Sequence, residues 1–384
     1  MKNLLEKIIN IIFGFVKVKD NYIVFFSSRN RVDGSPKAIY LYLKKHYPKK
    51  YKIKYLVYKS TDVSELDKKD VCYYKTLKCC HYIAKAKYWI LSDSVKTTIK
   101  KKKNQLYIQT FHGHGPIKNG AKTAKNTGEI IECINGVVKH AVDWDVYIAM
   151  CKEDEDVIRA QTGFNKKSFT LGVPSMDSIV ESKDLEENKI IKLKNKYNIP
   201  LDKKVVLYAP TYRNDLLDKD DIKIEIEDLK DFKDYVFLIR LHPLLNSKID
   251  KSIFENSNFI NCCNVPDIVD LYPVVDILIS DYSSSIHEFA LTNKKIILFP
   301  YDYEKYDYSP GFSIDYKNEM PGPICYNKRE LYEVFKYQEK YFKNYAEKLK
   351  KFNKKYSSMN DGNATKRFVD YLINRKFEGL DENK

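Results

Sequence analysis

Val274 to Pro300 reads V-V-D-I-L-I-S-D-Y-S-S-S-I-H-E-F-A-L-T-N-K-K-I-I-L-F-P. The pattern predicts a buried strand over Val274–Ile279, a polar turn, a short helix over Ser284–Leu291 and a second buried strand over Ile296–Phe299. Continuous β-branched runs on both sides of a helix are what a parallel sheet covered on both faces requires. The turn Ser280-Asp281-Tyr282-Ser283-Ser284-Ser285 then lies past the carboxyl end of a strand, where open α/β sheets place their ligands. Ser283, Ser284 and Ser285, with helix amides and the positive end of the helix dipole, predict a cradle for phosphate. The plainer alternative is that one serine is only an N-cap.

Outward from this unit, the same alternation recurs along the chain. Strands are predicted at Tyr22–Ser27, Lys54–Tyr58, Tyr88–Leu91, Leu106–Gln109 and Val146–Met150, with helices between them such as Thr76–Ala86 and Glu153–Gln161. Leu171-Gly172-Val173-Pro174 interrupts the pattern, and a charged stretch from Glu181 to Tyr197 follows. Strands resume at Val205–Tyr208, Val236–Ile239, Phe259–Cys262, Ile277–Ser280 and Ile296–Phe299. The expected class is α/β and GT-B-like: two doubly wound, Rossmann-like domains facing across a cleft. Their bounds are 20–175 on the acceptor side and 176–384 on the nucleotide-donor side, with the lysine-rich C-terminal helices packing back.

With 384 residues, the chain is long enough for two such cores. A net charge of +15 predicts an acidic partner. No low-complexity basic tail is present, so a phosphorylated substrate or an anionic membrane fits better than nucleic acid. The eight cysteines show no zinc-type C-x-x-C spacing; reduced structural thiols in a cytoplasmic protein are expected. No small-residue cleavage site follows the first apolar segment, so no cleavable signal peptide is read. Residues 1–19 carry Leu4, Leu5, Ile8, Ile9, Ile11, Ile12, Phe13, Phe15 and Val16 among lysines. That is too short to span a bilayer. It suits an interfacial helix on an anionic membrane, or equally a helix packed on its own domain.

Three further strand ends carry chemistry-bearing residues. In Gln109-Thr110-Phe111-His112-Gly113-His114-Gly115-Pro116, His112 sits beside glycines that leave room for a ligand, which suits a general base; His114 is its rival. In Ile239-Arg240-Leu241-His242-Pro243, Arg240 and His242 share a side if the strand continues, joining charge neutralisation to proton transfer. In Tyr208-Ala209-Pro210-Thr211-Tyr212-Arg213, Thr211 and Arg213 offer a hydroxyl and a guanidinium. No metal is required: Asp143-x-Asp145 and Asp218-x-Asp220 have D-x-D spacing but read as structural or solvated carboxylates. Amides and arginine can replace a cation at a departing phosphate, with Mg2+ kept as an option.

T-F-H-G-H-G-P-I-K-N-G, Y-A-P-T-Y-R, R-L-H-P, D-I-L-I-S-D-Y-S-S and G-F-S-I-D-Y…P-G-P-I occur in that order. Together they resemble the CDP-glycerol glycerophosphotransferase family, which builds teichoic acids and related envelope polymers, over about Tyr22 to Arg367. The resemblance implies a GT-B fold and transfer of glycerol phosphate from CDP-glycerol to a hydroxyl of a lipid-linked or polymeric acceptor, with release of CMP. It implies His112 and His242 as the essential histidines, either of which can be the base. It implies Ser283 and Ser284 with the helix start on the donor phosphate, Arg240 and Arg213 nearby, and Arg367, after Asp361-Gly362-Asn363-Ala364, near the cleft; Asp281, Ser285 and Thr211 join the expected donor-phosphate set from their places at the strand ends. It also implies a cytoplasmic protein held peripherally on the inner membrane face. The family's W-H-G-T-P is here F-H-G-H-G-P, which touches donor and acceptor specificity. The alternatives are CDP-ribitol, another CDP-alditol or a nucleotide sugar as donor, or a non-catalytic basic module that binds membrane or nucleic acid.

Overall fold

Two all-parallel sheets carry the chain. The computed structural model describes residues 2–27, 31–93, 97–118, 141–213, 222, 224–255, 258–308 and 310–379. It divides into one unit of Met1–His114, Glu129–Asp177 and Met359–Lys384, and another of Gly115–Gly128 and Ser178–Ser358.

In the first unit, β1 (Lys19–Phe26), β2 (Lys52–Val57), β3 (Val71–Tyr73), β4 (Ala86–Leu91), β5 (Leu106–Gln109), β6 (Val146–Ala149) and β7 (Lys167–Thr170) pair in the order β3-β2-β1-β4-β5-β6-β7. Successive side chains of these strands feed opposite faces. Ile23, Phe25, Tyr55, Tyr88, Ile90, Ile108 and Ile148 build one core. Val24, Phe26, Leu56, Trp89, Leu91, Tyr107 and Tyr147 build the other. Sequence reading missed β3 and β7. Both are short edge strands at the ends of the sheet, and β7 has no buried residue to mark it.

The N-terminal segment forms the helix α1 (Lys2–Gly14). Ile9, Phe13 and Val16 pack on the second core beside α3 (Leu77–Lys85), which follows α2 (Gly34–His46). Ile8, Ile11, Ile12 and Phe15 point outward, with Phe15 87% exposed. Lys102 Nζ donates to the carbonyls of Phe13 and Val16 and so caps the helix end. Burial there lowers its pKa.

In the second unit, β8 (Lys204–Tyr208), β9 (Tyr235–Ile239), β10 (Phe259–Asn261), β11 (Ile277–Ser280) and β12 (Lys295–Leu298) pair in the order β10-β9-β8-β11-β12. The strand order reverses between β8 and β11, and between β1 and β4 in the other sheet. These reversals mark the crevices where such sheets take ligands.

Past Ser358 the chain rejoins the first unit. Asn360 Oδ1 accepts the Val173 amide at 2.7 Å, and Asp177 accepts the Ala364 and Thr365 amides at 3.0 and 2.7 Å. That carboxylate sits at the amino end of the helix Ala364–Ile373, where the dipole favours it. Phe368, Val369 and Leu372 of this helix complete the first core.

Candidate active site

The serine turn is built differently from expectation. The helix after it, Ser285–Ala290, is only six residues long. The Ser285 amide donates to Ser283 Oγ, and those of Ile286, His287 and Glu288 donate to the Ser283 and Ser284 carbonyls. These four amides, expected to cradle phosphate, are therefore engaged within the turn. A helix this short also has little dipole to offer. The buried hydroxyls of Ser285 and Thr211 have no hydrogen-bond partner among the described residues.

A carboxylate–guanidinium network joins three strand ends. Asp281, 1% exposed, accepts the Thr211 amide at 2.8 Å and the Tyr282 amide at 2.6 Å through Oδ1. Its Oδ2 accepts Arg213 Nη2 at 2.7 Å. Arg213 also grips Asp302 in a fork, Nε to Oδ2 at 2.7 Å and Nη2 to Oδ1 at 2.8 Å, and lies over the Tyr301 ring. Burial works to raise the Asp302 pKa, but the Arg213 hydrogen bond and charge outweigh it and hold it low. Arg213, expected at the donor phosphates, is thus a brace between turns. Arg240 likewise donates to the carbonyls of Leu241 and Val265, both at 3.0 Å, and is buried. Strand β9 stops at Ile239, so the shared strand face foreseen for Arg240 and His242 is not formed. His242 instead lies against Tyr212, ring centroids 4.6 Å apart. It lines a small pocket together with Tyr208, Thr211, Arg213, Glu225 and Tyr301.

His112 belongs to the first unit and is exposed. Its Nδ1 lies 2.8 Å from the Ser92 carbonyl, at the end of the neighbouring strand β4. A carbonyl only accepts, so Nδ1 carries the proton and Nε2 presents the basic lone pair of the neutral ring. Phe111 stacks on His112, and both Phe111 (φ 51°) and Gly113 (φ 71°) occupy the left-handed region. For phenylalanine that conformation is strained, a feature concentrated at functional sites. His114 is different: it is 3% exposed, with both ring nitrogens against acceptors. That geometry removes it as the rival base.

At Gly115 the chain enters the second unit. A β-carbon there would fall inside the His287 ring, and φ is 122°. Ile117 and Lys118 continue onto Ser313 and Phe312 of the G-F-S-I-D-Y segment. Arg367 pairs with Asp361 at 2.8 Å and donates to the carbonyls of Leu171 (3.0 Å) and Met359, clamping the chain's return. Asp145 is held by Lys101 and the Tyr107 amide, as a structural carboxylate should be. Asp218 and Asp220 lie outside the described residues. Among those described, no group of three His, Cys, Asp or Glu is placed to hold a metal ion. Ser92 and Asp302 were missed in the sequence, although strand ends at Leu91 and Phe299 point to both. Asp154 was missed too; its signal was an acidic first turn.

A sequence model of the CDP-Glycerol:Poly(glycerophosphate) glycerophosphotransferase family matches residues 8–374. The chain belongs to this family. It is 29% identical to the teichoic acid poly(glycerol phosphate) polymerase of Staphylococcus epidermidis, over 92% of this chain and 51% of that protein. For the Bacillus subtilis polymerase (30% identical over 83% of this chain) the share of the relative is 44%, so the chain spans about half the length of these relatives. The teichoic acid glycerol-phosphate transferase of Staphylococcus aureus is 29% identical over 97% of this chain and 98% of its own length. A teichoic acid poly(ribitol-phosphate) polymerase of Bacillus spizizenii is 27% identical over 94% of this chain and 58% of that protein. Among solved structures, the wall teichoic acid polymerase TagF, as a histidine-to-asparagine variant with CDPG, matches with a TM-score of 0.83 and 26% identity. The match covers 99% of this chain and 97% of that one. The UDP-GlcNAc 2-epimerase of Neisseria meningitidis, at a TM-score of 0.57 and 14% identity over 92% of this chain and 99% of that one, shares the fold alone. The GT-B-like class and the family read from the motifs are borne out.

Proposed function

We propose that this protein transfers glycerol phosphate from CDP-glycerol to a hydroxyl of a lipid-linked or polymeric acceptor in teichoic acid synthesis. The observation that carries this reading is His112, exposed at a strand end with its tautomer set by the Ser92 carbonyl. Nε2 takes the acceptor's hydroxyl proton as that oxygen attacks the phosphorus bearing glycerol. The new P–O bond forms as the bond to CMP breaks, and CMP leaves with the electron pair. Thr211, whose buried hydroxyl has no partner among the described residues, receives a donor phosphate, and His242 with Tyr212 walls the nucleotide pocket. Arg213 and Asp281 hold the Thr211 turn and the serine turn in register.

The ribitol-phosphate relative makes CDP-ribitol the second donor to test. Incubation with CDP-glycerol, CDP-ribitol and UDP-sugars in separate reactions should release CMP from CDP-glycerol fastest. Faster release from CDP-ribitol reassigns the donor, and nucleotide release from none of them overturns the reading.

The outward face of α1 supports peripheral attachment to an anionic membrane. Ile8, Ile11, Ile12 and Phe15 are exposed and Lys7 and Lys17 flank them. No described helix is long and apolar enough to cross a membrane. Burying one such side chain stabilises binding by about 1.5–3 kcal/mol. Ile11→Asp with Phe15→Asp should therefore lower binding to phosphatidylglycerol vesicles by more than about tenfold. Unchanged binding in a sedimentation assay, with the circular dichroism spectrum preserved, would refute the attachment.

A further inference from the structure

We propose that His114 is a doubly protonated brace, ion-paired to Asp154, that holds the His112 loop in its working shape; the consequence for turnover rests on the function proposed above. His114 Nδ1 lies 3.1 Å from Asp154 Oδ2, and Nε2 lies 2.7 Å from the Thr110 carbonyl. Neither acceptor can donate once Asp154 is ionised, so both ring nitrogens must carry protons. Asp154 is ionised because Oδ2 also accepts the Tyr147 hydroxyl at 2.9 Å and the Met150 amide at 3.0 Å. Three donors converging on one oxygen are the signature of a carboxylate.

The geometry makes this pair a fastener for the loop. Thr110 and His114 are the two ends of the tight segment that carries Phe111, His112 and Gly113. The Nε2 bond ties those ends together across the strained Phe111 and Gly113 positions. The Nδ1 bond anchors the closed segment to Asp154 in the first turn of the helix Lys152–Thr162. A neutral imidazole has one N–H and can serve only one of the two acceptors. The charge is therefore what lets a single ring do both tasks. At 3% exposure for each partner, the pair is shielded from water and salt, so losing either member leaves a buried charge uncompensated.

Other titratable groups in the neighbourhood sort consistently. Tyr147 of β6 is kept protonated by burial and by the Asp154 charge, which raise its pKa well above the ordinary value. Burial first, then Asp154 and Glu153, raise the Cys151 pKa to about 12, so it stays a thiol. Glu155 is paired with Arg159 at 2.8 Å. His112, on the same loop, bonds to the Ser92 carbonyl. Asp154 is thus the anion that holds the proton on His114.

Selective 15N-histidine labelling tests this directly. At about pH 8, above the ordinary histidine value of about 6.5, one of the seven imidazoles should show both ring nitrogens protonated. Asp154→Asn should abolish that signal and lower turnover at least about tenfold with the donor KM unchanged, because the base is displaced while the nucleotide pocket is untouched. Seven neutral rings at that pH would overturn the proposal. So would an imidazolium that persists in Asp154→Asn, or turnover that does not fall. The ring-nitrogen readout uses no substrate: wild-type protein that releases no CMP counts against the function, while the labelled spectrum still judges the brace.

Discussion

Replacing His112 with alanine should lower CMP release from CDP-glycerol by at least about a hundredfold, the lower end of what one positioned general base contributes. The donor KM should stay near wild type, because His112 lies in the first unit and the pocket lined by His242, Thr211 and Arg213 lies in the second. His112 is exposed, so the urea midpoint should move little. Steady-state kinetics of His112→Ala beside His242→Ala separates the two roles. A loss in kcat confined to His242→Ala would move the base to the pocket histidine. Both variants within about threefold of wild type would remove histidine base catalysis altogether.

Arg213→Ala should destabilise the second unit strongly. It strands Asp281, which is 1% exposed, and takes both fork bonds from Asp302. Removing one partner of a buried ion pair costs about 3–5 kcal/mol. Replacing the whole cluster with apolar groups would cost less, so the loss reflects the orphaned charge. The pH dependence follows in sign. The Asp302 value is depressed below the ordinary 3.8 in the folded protein. Its contribution is therefore complete above that pH and fades as pH falls through the lower folded value. In Arg213→Ala that fading should disappear, leaving a flatter stability profile below about pH 4. Chemical denaturation across that range checks both. A loss under about 1 kcal/mol would show that water already relieves Asp281.

Much of the architecture could be read from the chain because the strands are buried on both faces. Runs such as Tyr22-Ile23-Val24-Phe25-Phe26 and Val205-Val206-Leu207-Tyr208 have few alternatives to a covered parallel strand. The edge strands β3 and β7 escaped because a strand of three or four residues with little burial leaves no periodic signal. The candidate site divides in a similar way. His112, His242, Thr211 and the serine turn were visible because strand ends in such sheets carry function. Their partners were not, since Ser92, Asp154 and Asp302 are distant in sequence or play their part through one atom.

By itself, the sequence determined the class of fold and the family, and it supplied the short list of candidate side chains. Each of these depends on local patterning or on the order of motifs along the chain. Tertiary structure alone decided which of those side chains are available for chemistry. Sequence would assign Arg213 and Arg240 to a ligand and His114 to proton transfer, yet carboxylates and carbonyls already engage all three. A charge in a protein takes its role from whichever acceptor folding brings within about 3 Å, and that acceptor can come from any part of the chain.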